Sequence, residues 1–191
     1  MSDLSVIVLC GGSSKRMGED KSMLTLHKHP LYMHAAQKLG SVCKSVFLSV
    51  NKFQALNSNY KFPLIIDRYS EQGPLGGILS SLECLGQSIF VLAVDMPFMT
   101  LQEIQNLMAL RNPYQHITLY HNVEAGKYEA MFSIWEYSVL HDLKSFFDSG
   151  GRSAQTLLKE LNIPIIPIND MATFKSVNTL EEWDSLTKYI G

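Results

Sequence analysis

An apolar run, Leu4 to Leu9, ends at the glycine pair Gly11-Gly12 and is followed by Ser13-Ser14-Lys15-Arg16-Met17-Gly18-Glu19-Asp20-Lys21. A short apolar segment closed by glycine reads as a strand covered on both faces. Such strands belong to parallel sheets flanked by helices. The loop that leaves it carries two adjacent glycines, two small hydroxyls and the cations Lys15, Arg16 and Lys21. Glycines let successive backbone N–H groups turn toward one point and cradle an anion, while the flanking cations neutralise it. A polyphosphate is the natural guest; a glycine turn with solvated charges is the alternative reading of the segment.

The spacing excludes two familiar phosphate loops. A Walker loop needs Gly-x-x-x-x-Gly-Lys-Ser/Thr, but the fifth residue after Gly12 is Met17, and Asp20 precedes Lys21. The dinucleotide fingerprint Gly-x-Gly-x-x-Gly fails because Gly11 and Gly12 are adjacent. What remains resembles the signature Leu-x-Gly-Gly-x-Ser-x-Arg-Met-Gly-x-Asp-Lys of the molybdenum cofactor guanylyltransferases. Further matches follow in the same order: Asp67, then Gly73-Pro74-Leu75-Gly76-Gly77; Val91–Val94 running into Asp95-Met96-Pro97; Gly150-Gly151-Arg152; and Val177-Asn178-Thr179-Leu180-Glu181-Glu182. Together they span nearly the whole chain.

Composition restricts the class. With 46% apolar and 18% charged residues in 191, the chain suits one globular domain over residues 1–191. A net charge of −2 argues against a general nucleic-acid or membrane-surface role. Cys10, Cys43 and Cys84 form neither a zinc pattern nor a disulfide framework. A reducing, cytoplasmic setting is expected, and no signal peptide or spanning segment is visible. Cys10 is read as a packing residue, and the six histidines show no metal spacing, with His27 and His29 assigned to the surface and His34 to a helix.

Strands are expected at Leu4–Leu9, Ser45–Val50, Leu64–Ile66 and Ile89–Val94. Leu75, Ile78, Leu79, Leu82 and Leu85 recur at helical spacing. Thr100 with Glu103, and Thr179 with Glu182, have the spacing of capping boxes. Later strands fall near Ile117–Tyr120, Ala130–Ile134 and Ile165–Ile168, with helices near Ser138–Phe147 and Ala154–Leu161. The expected fold is a Rossmann-like α/β domain of three layers, with a mainly parallel sheet and helices on both faces. In such folds ligands sit beyond the carboxyl ends of the strands, which gathers the glycine loop, Asp67 and Asp95 at one edge.

The roles follow from charge and from the resemblance. Arg16 and Lys21 suit triphosphate oxygens, and the resemblance makes Lys21 the phosphate-contacting lysine. Leu9, Cys10, Gly11 and Gly12 match the loop through which the family contacts its nucleotide. Asp95 closes an apolar strand, where an unpaired carboxylate is costly. Mg²⁺ bridging phosphates resolves that cost; an N-capping role before Pro97 is the alternative. Asp67 either contacts the guanosine, as its family counterpart does, or caps the next loop. Ser49 and Asn51 share a strand face where the family has an asparagine. Asn178 matches a residue near the acceptor side, Arg152 is a candidate for an acceptor phosphate or a solvated cation, and Ala130 replaces a common proline.

The resemblance implies transfer of GMP from GTP to a molybdopterin phosphate, with Mg²⁺ as cofactor and pyrophosphate as product. It leaves molybdoenzymes or cofactor-delivery proteins as candidate partners. Related cytidylyl or sugar-phosphate nucleotidyltransferases, and a non-catalytic nucleotide-binding adaptor, remain the alternatives.

Overall fold

The computed structural model describes residues 4–11, 20–69, 73–168, 170–179, 181–183 and 185. Within them, Leu4–Leu9 forms the central strand β1, with every side chain in it buried. Chain return begins with a 3-10 turn at Lys21–Met23 and a small hairpin of β2 (Thr25–Leu26) and β3 (His29–Pro30). Helix α1 (Leu31–Gly40) follows, then β4 (Val46–Val50), α2 (Lys52–Asn57), β5 (Leu64–Ile66), α3 (Pro74–Leu85), β6 (Ser88–Ala93) and α4 (Leu101–Leu110). The later half supplies β7 (Ile117–Asn122), β8 (Lys127–Trp135), α5 (Leu140–Asp148), α6 (Ala154–Glu160) and β9 (Ile166–Pro167).

Seven strands form one sheet in the order β5-β4-β1-β6-β8-β7-β9. β1 pairs in parallel with both β4 and β6, so strand order reverses direction there and leaves a crevice beyond their carboxyl ends. The sheet is mixed: β8 runs antiparallel to β6 and β7, because a tight hairpin through Gly126 (φ 60°) joins β7 to β8. Helices α1 and α4 pack together on one face, and α3 and α5 pack together on the other. The three-layer expectation therefore holds with one reversed strand.

Helix α3 lies unusually close to the sheet. A Cβ on Gly77 would meet Ser49 Oγ at 2.7 Å and Leu9 Cδ2 at 3.1 Å; one on Gly76 would meet the Tyr69 carbonyl oxygen at 2.6 Å. These glycines permit contact with β1, β4 and the turn after β5, and Leu75, Ile78, Leu79 and Leu82 then bury completely or nearly so.

Two local details differ from the sequence expectation. Helix α2 and the β2–β3 hairpin were not expected; each is too short to show periodicity, and α2 exists through a reciprocal capping box between Asn51 and Gln54. At α4 only half of the Thr100–Glu103 box forms. Thr100 Oγ1 accepts from Glu103 N at 3.1 Å, whereas Glu103 Oε1 accepts from Asn106 Nδ2 at 3.4 Å. The Thr179–Glu182 box is complete, with bonds of 3.1 Å in both directions.

Candidate active site

The crevice between β1 and β6 gathers residues from distant parts of the chain. Asp95 sits in the turn after β6, and Lys21 opens the 3-10 turn that follows the glycine loop. Lys21 Nζ lies 3.7 Å from Asp95 Oδ2, with side chains 16% and 26% exposed. Lys21 Nζ also donates to Asn178 Oδ1 at 3.2 Å, and Val177 N donates to the Asp95 carbonyl at 2.9 Å. Glu182 fixes that far segment by accepting from Asn178 N and Thr179 N at 2.6 and 3.1 Å. The second capping box thus holds Asn178 against the lysine. Asp95 is not a helix cap, since Thr100 fills that place.

Burial pushes the Asp95 carboxyl above its usual range, opposed chiefly by the Lys21 charge and also by Lys127. Lys127 likewise opposes the upward shift that burial gives Glu129. Glu129 lies on β8, three residues before Phe132, the partner of Leu92 on β6. A half-buried carboxylate beside a lysine, at a site edge with further cationic charge, suits a metal-bearing polyanion. Among the described residues no group of three or more His, Cys, Asp or Glu side chains is placed to cage a metal.

The segment before the loop is more committed than its sequence suggests. Cys10 N and Gly11 N both donate to the Ser49 carbonyl, at 2.9 and 3.1 Å. Leu9 O accepts from Val94 N at 3.1 Å, and the Leu9 side chain packs under α3. The Leu9 carbonyl and the Cys10 and Gly11 amides are therefore engaged inside the fold. Burial raises the Cys10 thiol well above its ordinary value, in keeping with a packing role. Gly12 and Arg16, both expected to meet phosphate, lie outside the described residues, as do Ser13, Ser14 and Lys15.

Asp67 caps its loop. Its Oδ1 accepts from Tyr69 N at 2.8 Å and from Ser80 Oγ at 3.1 Å. Burial raises its carboxyl, and those two donors oppose the shift. Asn51 is spent on the α2 cap, and Ser49 is buried under Gly77. Arg152 is a loop fastener: it donates to the Phe147 and Gly151 carbonyls at 2.8 and 2.6 Å and stacks over the Phe147 ring at 5.0 Å.

Gln54 and Lys38 escaped sequence reasoning, and Asp20, matched there as part of the Asp-Lys signature, proves to be a hydrogen-bonding hub. Asp20 Oδ1 accepts from Ser22 N (3.0 Å), Ser22 Oγ (2.7 Å) and Gln54 Nε2 (2.9 Å), and Asp20 Oδ2 accepts from Tyr60 at 3.1 Å. Gln54 Nε2 also donates to the Cys10 carbonyl at 3.0 Å. Lys38 Nζ, on α1, donates to the Pro97 and Met99 carbonyls at 3.0 and 2.8 Å and pins the turn that carries Asp95. The Asn51-x-x-Gln54 spacing was a readable signal for the cap, but nothing in the sequence announced its second use.

This arrangement meets a family match at the same place. Residues 6–164 fit the family model described as a MobA-like NTP transferase domain. The chain belongs to that family. Molybdenum cofactor guanylyltransferases are among its relatives: one from Histophilus somni (strain 129Pt) is 30% identical over 184 residues, 94% of this chain and 93% of the relative. Another, from Cupriavidus metallidurans, is 26% identical over 187 residues, covering 94% and 92%. Among solved structures, molybdopterin-guanine dinucleotide biosynthesis protein A from Archaeoglobus fulgidus superposes with a TM-score of 0.81 at 20% identity, covering 97% of each chain. A 4-diphosphocytidyl-2C-methyl-D-erythritol synthase from Anaerococcus prevotii reaches 0.71 at 9% identity, covering 97% and 95%. The MobA-like fold of this chain is thus a nucleotidyltransferase fold, and the family's chemistry lies in molybdenum cofactor biosynthesis. No helix among the described residues is long and apolar enough to cross a membrane.

Proposed function

We propose that this nucleotidyltransferase transfers GMP from GTP to the terminal phosphate of molybdopterin, releasing pyrophosphate and forming a guanine dinucleotide cofactor. The observation that carries this reading is the approach of Lys21 to Asp95 at the β1/β6 crevice of a MobA-like chain. The choice of guanine and of the pterin acceptor is supported by the names of the relatives, which align over more than nine-tenths of the chain.

The reaction forms a bond between an acceptor phosphate oxygen and the α-phosphorus of GTP and breaks the α–β anhydride. A phosphate nucleophile is already ionised at neutral pH, so no strong general base is needed. The protein's task is to hold both phosphates in line and to neutralise charge. Lys21 provides the cation, held by Asn178. Asp95 fits an Mg²⁺ ion delivered on the triphosphate, because Mg²⁺ takes one or two carboxylates and fills its shell with phosphate oxygens and water. When bound, that ion offsets negative charge on the phosphates. Lys127, on β8, adds a further positive charge that favours the ionised Asp95.

Pyrophosphate release from GTP that requires added molybdopterin tests the proposal. Thermal shifts with GTP against CTP, each with Mg²⁺, test the base, since a ligand of the native state raises its stability. Turnover with CTP and a sugar or alcohol phosphate, but not with GTP and molybdopterin, would reassign the chain within its fold.

A further inference from the structure

A single buried amide spans both ends of the glycine loop. Gln54 is 5% exposed and sits in the first turn of α2, outside the expected signature. Its Nε2 donates to the Cys10 carbonyl at 3.0 Å, where β1 ends, and to Asp20 Oδ1 at 2.9 Å, immediately before Lys21. Its Oε1 accepts from Asn51 N at 3.0 Å. Both amide protons and the acceptor are thereby used, so the group is satisfied and oriented. Asp20 completes its own set through Ser22 and Tyr60, and Tyr60 is fixed in turn against the buried Tyr32 ring, 4.9 Å between centroids.

The geometry points to Gln54 as a positioning residue that clasps the two ends of the nucleotide loop and so sets where Lys21 stands. It touches no substrate; it acts through Cys10 and Asp20. This inference rests on the nucleotidyl-transfer reading above and names a residue that controls nucleotide affinity at that site. A glutamine is required because the two contacted atoms, a carbonyl and a carboxylate oxygen, are both acceptors. One NH₂ group can satisfy both, whereas a carboxylate would repel them.

Gln54→Glu separates this role from helix capping. Glutamate serves equally as the third residue of a capping box, so the bond from Asn51 N survives, but the donor becomes an oxygen facing two acceptors. At pH 7.5, GTP–Mg²⁺ affinity is expected to fall about tenfold or more, the scale of losing a hydrogen bond to a charged group. Affinity, relative to wild type at the same pH, should return in part as pH falls to about 5.5, because a carboxyl beside another carboxylate titrates late and then donates one hydrogen bond where the amide gave two. Gln54→Leu should lose affinity without that recovery, each affinity being taken relative to wild type at the same pH so that titration of the GTP phosphate and of Asp95 cancels. A KM rise for nucleotide with little change in KM for the acceptor is the expected kinetic split.

A second measurement is independent of nucleotide. Ser22 N bonds to Asp20 Oδ1 and Met23 N to Asp20 O, so their hydrogen exchange, relative to wild type at the same pH, should quicken in Gln54→Glu at pH 7.5 and return toward parity at pH 5.5. Unchanged exchange at these amides in a folded Gln54→Glu protein overturns the clasp, whatever nucleotide binds. Altered exchange in a protein whose wild type ignores GTP keeps the clasp and discards the substrate.

Discussion

Asn178 Oδ1 accepts a hydrogen bond from Lys21 Nζ at 3.2 Å, joining residues 157 positions apart. The contact places a neutral acceptor on one side of the ammonium and the Asp95 carboxylate on another, 3.7 Å away. The lysine is held between them without being bound tightly to either, which leaves it free to turn toward an incoming phosphate.

Replacing Lys21 by Ala, or Asp95 by Asn, should lower nucleotidyl transfer by about 10²–10³, the scale of removing one preorganised charge from a transition state. Asn178→Ala should cost less, about tenfold, because it loosens the lysine without removing it. Coupled pyrophosphate release measures all three. Folding should survive, and Asp95→Asn should keep or gain thermal stability, since burial disfavours the charged carboxyl.

Gly77→Ala should destabilise the fold by about 1–3 kcal/mol, the cost of overpacking. The added methyl meets Ser49 Oγ at 2.7 Å, whereas Ser49 Cβ is 3.8 Å away. Ser49→Ala removes the closest atom, so the double variant should recover much of the loss. Urea midpoints of the two single variants and the pair give the coupling; strictly additive losses would show that the crowding lies elsewhere.

At the opposite sheet edge, Arg111 grips Glu136 through two bonds of 2.6 and 2.7 Å, and Ser88 adds a third of 2.6 Å. Burial raises the Glu136 carboxyl, but the hydrogen bonds from Arg111 and Ser88 and the Arg111 charge outweigh it and hold it below the ordinary range. A depressed folded value means the unfolded chain binds the proton more readily. The stabilisation is therefore present above the unfolded pKa of about 4.3 and fades as pH falls through the lower folded value. Glu136→Gln should flatten that part of the stability curve and destabilise at pH 7 by about 3 kcal/mol, leaving Arg111 unpaired. Arg111→Met combined with Glu136→Leu should restore most of it; denaturant midpoints between pH 3 and 7 provide the check.

Lys38 is half-buried, and burial lowers its pKa. Lys38→Met keeps the stem and removes the donor to Pro97 O and Met99 O. Two carbonyls then lose their partner, a cost of about 1–3 kcal/mol. Because those carbonyls belong to the turn after Asp95, turnover should fall together with stability. A variant with lowered melting temperature but unaltered kcat would confine Lys38 to a structural role.

Much of the architecture was legible because its signals are local. β1 and α3 announce themselves through apolar spacing and glycine punctuation, and the Thr179–Glu182 box through its four-residue pattern. The convergence of Lys21 with Asp95 followed from one rule about strand ends. The reversed strand β8 was not read from the sequence, although the short link between β7 and β8, four residues between Asn122 and Lys127, is too brief for a parallel crossover. Nor were the clasp at Gln54 and the Lys38 anchor, because each joins a side chain to backbone atoms dozens of residues away. Backbone carbonyls carry no letter in a sequence, so a residue whose work is to hold them leaves no pattern.

The bond from Val177 N to the Asp95 carbonyl gives the last stretch of polypeptide a disproportionate say. Among the described residues the sheet ends at Pro167, but Phe174, Val177 and Trp183 are still buried in the core, with Phe174 packed against Tyr120 and Phe132, so a protein severed between Pro167 and Val177 would lose packing as well as reach. It would forfeit the brace behind Asp95 and the Asn178 rest for Lys21 in one stroke. The closing segment thus ties the cohesion of the fold to the placement of the charges that face the nucleotide.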